Sequence, residues 1–328
     1  ATTEIYTLSL HDALPIWAGA AVYRDPRRQL SGVAVPSPPD SGPARYQAAE
    51  RDARERAGRH PDQSEAWLQL GDALRALWRM AEAEAAFLRA TTIDPGFAPA
   101  WAGLGFVQIV RGRPDEGLAS CRRASRLRPD LAAPHRHIAS LLLGAGRIDE
   151  AARSATEARR LDPASAEGLS QLGVIWFHAG LRAGGRRLID RVISSHQDAA
   201  EAFVHRALIA LSDPTTVEAA DQDLDRALAI KPWLAPAYAL RAQLRRKQGR
   251  LPEALEAITA ARRHLPESED YLIVEIGLVE EMGRGPEALA LAETALETRR
   301  ASRVLRMRLA MLLLDAGQVD QALRHIPG

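Results

Sequence analysis

The sequence predicts an all-α chain in which antiparallel helix pairs stack into a solenoid, and three observations carry that prediction. The first is a run of small residues at one interval: Ala49, Ala83, Gly117, Ala151, Gly185, Ala220, Ala254, Ala288 and Ala322. Each step is 34 residues, apart from a single step of 35 between Gly185 and Ala220. The second is punctuation in the same register. Prolines stand at 61, 95, 129, 163, 232 and 266, and glycines at 112, 146, 180, 249, 283 and 317. The third is composition: Ala, Leu, Arg and Glu dominate while aromatics are only 5%, a balance that favours helix.

Each recurrence has a mechanical reason. Between a glycine and the next proline lie about 17 residues, room for a helix of about four turns and its connections. Glycine ends one helix in a left-handed conformation, and proline blocks continuation of the next. Small residues, including the parallel series Ala90, Ala124, Ala158, Val192, Ala227, Ala261 and Ala295, belong where paired helices pass closest.

Taken in order, residues 1–16 (ATTEIYTLSLHDALPI) resemble a translated sequencing adapter, whose codons spell Thr2 to Ile16 without a gap. They are set aside as an artefact, so the first residues of the gene product lie upstream of what is seen. Residues 17–44, with Pro36, Pro38, Pro39 and Pro43, read as a weakly ordered linker. Residues 45–61 read as the lone second helix of a partial repeat, and 62–328 as an array of about eight repeats whose last is incomplete.

The segment 64–97, SEAWLQLGDALRALWRMAEAEAAFLRATTIDPGF, carries Trp67, Leu70 and Gly71 in its first half and Ala83, Phe87, Ala90 and Pro95 in its second. It resembles the tetratricopeptide repeat (TPR), bacterial type. Trp101, Leu104, Gly105, Ala124 and Pro129 repeat the match, with Gly117 and Cys121 replacing the usual alanine and aromatic. The third repeat keeps Ala139, Gly146, Ala151 and Pro163 but has His135 where Trp is common. The fourth has Gln197 where the proline should fall, and the fifth carries an inserted residue, placed around Pro214. Gly249, Ala254, Pro266, Gly283 and Ala288 mark repeats six and seven. The resemblance covers about residues 45–328 and implies a right-handed superhelix with first helices lining its inner face.

That resemblance implies binding of a protein or peptide in the concave groove. Carried onto this chain, the groove positions include Phe106, Ile109, Leu143, Val174, Phe177, Val204 and Leu208, an apolar strip crossing four repeats, with Arg136 placed to pair with a partner carboxylate. Leu68 and Asp72 stand where chaperone-tail adaptors of the family carry a cationic clamp, which argues against that ligand.

Other functions find little support. A net charge of +1 gives no overall case for nucleic acid. The arginines at 122, 123, 126 and 128 are not interleaved with aromatics, so they read as a solvated face. His135 and His137 point about 200° apart on a helix and do not make a metal pair. Trp67, Trp101 and Trp176 fall in core register. Nothing resembles a phosphate loop, a paired-histidine zinc motif or a nucleophile elbow, and no cofactor is implied. No apolar run reaches the roughly 18 to 20 residues of a membrane helix, and the lone Cys121 cannot form an internal disulfide. The sequence therefore predicts a non-catalytic scaffold or adaptor, with a cytoplasmic location favoured and export left open. The alternative is the repeat region of a larger sulfotransferase- or glycosyltransferase-type enzyme.

Overall fold

The computed structural model describes residues 44–211, 216–299 and 302–325. The adapter-like segment, most of the linker, Pro214 and the last three residues lie outside them. Among the described residues there are seventeen helices and no strand. In chain order they are α1 Ala44–Arg59, α2 Ser64–Ala76, α3 Met80–Ile93, α4 Ala98–Val110, α5 Pro114–Leu127 and α6 Ala132–Gly144. Then come α7 Ile148–Leu161, α8 Ala166–His178, α9 Arg182–Ser195, α10 Ala200–Ala210, α11 Val217–Ile230 and α12 Ala235–Lys247. The last five are α13 Leu251–His264, α14 Glu269–Glu281, α15 Gly285–Thr298, α16 Arg303–Asp315 and α17 Val319–Leu323. Even-numbered helices up to α16 are the first helices of the repeats. The described helices fall into two compact units, divided between Leu240 and Arg241, within α12.

The turn inside each pair is built as the glycine series predicts. Gly112, Gly146, Gly180, Gly249, Gly283 and Gly317 all have φ between 71° and 89°. Around Gly112, the Gly112 amide donates to the Ile109 carbonyl at 3.0 Å and the Arg113 amide to Gln108 at 2.8 Å, closing the end of α4. The first repeat breaks the pattern. Trp78, one period before Gly112, makes the same turn with φ 61°, a strained conformation for a residue with a side chain. Its amide donates to Arg75 at 2.9 Å, and Arg79 to Leu74 at 2.9 Å.

The small residues sit where the paired helices touch. Ala83, Ala151, Ala220, Ala254, Ala288 and Ala322 are fully buried. A β-carbon at Gly117 would come within 2.6 Å of the Gly105 carbonyl oxygen. The proline turns between pairs have their own tie: Trp67 donates its indole N–H to the Pro61 carbonyl, and Trp101 to Pro95, each at 3.0 Å. Tyr238 does the same to Pro232 through its hydroxyl at 3.0 Å. These aromatics are half-buried, so they brace the junctions between pairs rather than fill the core. The turn at Gln197 forms without proline, with the His196 amide donating to Val192 at 2.8 Å.

In the first unit, α4, α8 and α10 are buried on nearly every side, whereas α5 and α7 each bury one stripe of small residues and α9 a narrow stripe of Gly185, Ile189 and Val192. The first helices thus make an inner layer and the second helices a solvated outer one. Within the second unit, Leu272, Ile276, Val279, Ala288, Ala292, Leu305, Leu309 and Leu313 form one apolar core. Ser268 and Ser302 cap α14 and α16 by accepting the amide hydrogens of Tyr271 and Leu305.

Candidate functional site: the inner face of the first unit

The strip predicted from sequence is not open. Phe106, Val174 and Val204 are 1–2% exposed, while Ile109, Phe177 and Leu143 reach only 7–9%. Leu208 is half-buried. The expectation of contiguous exposed apolar surface is corrected here, because neighbouring first helices pack directly on one another. Phe106 lies with its ring centroid 5.1 Å from that of His137 on the next first helix, and the Arg75 guanidinium sits 5.5 Å from it on the other side. Leu143, Val174, Ile175, Phe177 and Ile209 belong to one core cluster, with Leu208 packed at its margin.

Arg136 is likewise only 2% exposed, and its partner lies within the chain. Its Nε donates to Glu167 Oε1 at 3.2 Å. Around that pair runs a buried polar seam that the sequence reading did not single out. Gln171 Nε2 donates to the Arg136 carbonyl at 3.0 Å and also to Ser140 Oγ. Ser170 Oγ donates to the Glu167 carbonyl at 3.0 Å and lies 3.0 Å from His205 Nδ1. With the serine proton committed to that carbonyl, His205 is the donor, which fixes its Nδ1–H tautomer. Arg136 Nη1, Glu167 Oε2 and Gln171 Oε1 are buried and have no hydrogen-bond partner among the described residues. The legible signal was a spacing: 31 residues separate Arg136 from Glu167, one period less about one helical turn, which brings successive first helices face to face.

Burial sets the electrostatics of the seam. It holds His205 near 4, with nearby Glu201 opposing the shift only weakly. His137 falls well below the ordinary histidine range, first through burial and then through the positive charges of Arg136 and Arg75. Both imidazoles are neutral at physiological pH. Among the described residues no cluster of His, Cys, Asp or Glu could hold a metal. Cys121 is buried, and its thiol is pushed up to about 12 by desolvation, so it is no nucleophile. No described helix is long and apolar enough to cross a membrane.

One pocket opens on this face. It has a volume of about 80 Å³ and is lined by Leu68, Asp72 and Arg75 of α2, Ala102 of α4, and Ala133, Arg136 and His137 of α6, among others. Asp72 pairs with Arg75 at 3.0 Å, and its carboxylate remains 42% exposed at the rim.

Comparison with known proteins agrees with this architecture. The profile of the family described as tetratricopeptide repeat matches residues 44–98, 138–185 and 180–232. No curated protein matches the sequence. Among solved structures, the chain is similar to the human IFIT1 dimer with PPP-AAAA, at 15% identity and a TM-score of 0.52, covering 80% of this chain and 71% of that one. It is also similar to TTC0263, a thermophilic TPR protein of Thermus thermophilus (21% identity, TM-score 0.49, 56% and 99% covered). A third is a chain of the APC/C hetero-tetramer Cut9–Hcn1 (17% identity, TM-score 0.49), where 72% of this chain aligns with 46% of that one, less than half its length.

Proposed function

Because the chain is a tetratricopeptide-repeat protein, we propose that it is a non-catalytic scaffold that holds a peptide or helix of a partner protein along the inner face of its first unit. The observation that carries this reading is the pocket at Leu68, Asp72, Ala133 and Arg136. It opens among the first helices and combines apolar walls from Leu68, Ala102 and Ala133 with the polar side chains of Asp72, Arg75 and Arg136. From there the partner segment runs along Ile109, Leu143, Phe177 and Leu208, the less deeply buried members of the strip. Phe106, Val174 and Val204 lie beneath and set the shape of that face. The fold is typical of interaction scaffolds, and a solenoid offers an extended surface suited to a linear segment.

A displayed peptide library selected on the whole protein tests the reading. The selected peptides should converge on a short pattern, and Asp72→Arg with Ala133→Arg should weaken them at least about tenfold, the loss that follows from about 1.4 kcal/mol. Circular dichroism should be unchanged. If the double variant keeps every selected peptide at full strength, the partner does not bind at this face.

A further inference from the structure

The first unit touches itself across a long stretch of sequence. Trp233, in the turn before α12, donates its indole N–H to the carbonyl of Ala76 at the end of α2, 2.8 Å away and 157 residues earlier. The Trp233 ring also meets Tyr46 of α1 edge-on, with centroids 5.6 Å apart. Lys231, buried and paired with Glu201, places its ammonium 5.3 Å from the Tyr46 ring centroid. At the side of this contact Arg45 pairs with Asp198 at 3.1 Å, 153 residues away. The start of the array is therefore fastened to the turns before α10 and α12.

The joint also borders a cavity and a strained turn. A cavity of about 390 Å³ opens between Gln47, Glu50, Arg51, Leu77, Arg79 and Trp233. The turn beside it is the one closed by Trp78 in the left-handed region, and the buried Trp78 indole nitrogen has no hydrogen-bond partner among the described residues. Strain and an orphaned donor persist where surrounding contacts hold them, and such places are drawn on for conformational change.

We propose that this contact is a latch. It keeps the first unit closed, and its release parts the first helices along the inner face. The reason is geometric: the inner edge of a curved stack is shorter than its outer edge, so lessening the curvature lengthens the inner edge and separates what packs there. The inner layer holds what such separation would relieve, since Arg136 Nη1, Glu167 Oε2 and Gln171 Oε1 lack partners while closed. The functional meaning of the latch rests on the reading that a partner segment binds this face. Its mechanical content does not.

Hydrogen exchange of the whole protein, read by mass spectrometry, tests it. Asp198→Arg, at an exposed position, should speed exchange in α4 and α8 by up to about fivefold, the range of a surface ion pair. Trp233→Ala should speed it further. The charge swap Arg45→Asp with Asp198→Arg should return the rates to those of the natural protein. Unchanged rates in α4 and α8 in both single variants would overturn the latch, as would an equal rise in α14 and α15, which the contact does not touch. The second arm measures peptides selected on the inner face. Binding to Asp198→Arg that tightens by the factor seen in exchange supports the latch as a gate. Faster exchange without any such tightening supports the mechanical latch and counts against the inner face as the binding site.

Discussion

A β-carbon on Gly185 would lie 2.3 Å from the carbonyl oxygen of Gly173, so α8 and α9 meet backbone to backbone. The same geometry joins Gly105 and Gly117 between α4 and α5. Small residues at these two crossings are required by contact, not merely tolerated by helix propensity.

That contact predicts opposite outcomes for two adjacent substitutions. Gly185→Ala should destabilise by up to about 2 kcal/mol, because overpacking against rigid backbone, at about 1–3 kcal/mol, outweighs the roughly 1 kcal/mol gained in helix propensity. Gly184→Ala meets only the Trp176 ring, at an ordinary 3.7 Å. It should be neutral or stabilise by up to about 1 kcal/mol. Urea unfolding of the two variants checks the contrast in sign.

Trp78 sets strain against burial. Replacing it by the glycine found one period later relieves about 1–2 kcal/mol of left-handed strain but removes a buried aromatic worth about 3–5 kcal/mol. Trp78→Gly should therefore be less stable by about 1–4 kcal/mol despite restoring the family pattern. Stabilisation on thermal or urea melting would show that the indole contributes little to the packing.

Acid should weaken the first unit before its carboxylates titrate. His205 is buried neutral and titrates near 4 in the folded chain, against about 6.5 when unfolded. The unfolded chain thus binds the extra proton, and stability is complete above about pH 6.5 and falls as pH drops towards 4. At pH 5 the loss from this residue is about 2 kcal/mol. His205→Gln, which can still donate to Ser170 without titrating, should reduce the difference in urea midpoint between pH 7.5 and pH 5, leaving the part that His137 contributes in the same sense. An undiminished difference would place the proton uptake elsewhere.

Cys121 should resist alkylation. With its thiol buried and pushed up to about 12, iodoacetamide at pH 8 should leave it unmodified in the folded protein and label it fully in urea. Mass spectrometry distinguishes the two states, and rapid labelling without denaturant would mean that α5 opens readily.

The division between what the sequence disclosed and what it hid follows from the physics of repeats. The period, the turns and the helix crossings depend on interactions within one pair, so Ala83, Gly112 and Pro129 announce them directly. How closely successive first helices pack is a relation between repeats, and no residue type reports it. That is why Phe106 and Val174 read as an open strip yet lie covered. Trp78 lies one period before Gly112, yet its left-handed turn could not be read, since tryptophan at that place argues against the very conformation it takes. The polar seam escaped for a related reason: Arg136 reads as a groove residue facing a partner's carboxylate, whereas the carboxylate it meets is Glu167 of its own chain, 31 positions on.

The Arg136–Glu167 pair bears finally on the order in which the modules assemble. Stacked units of similar sequence could in principle dock on the wrong neighbour while the chain folds. An out-of-order junction would bury one of these charges without its counterpart, at about 3–5 kcal/mol. Lys231 with Glu201, paired across another junction, would penalise a misplaced neighbour in the same way. Such pairs act as keys cut for one lock each, letting a nearly uniform chain distinguish its own third module from its fifth.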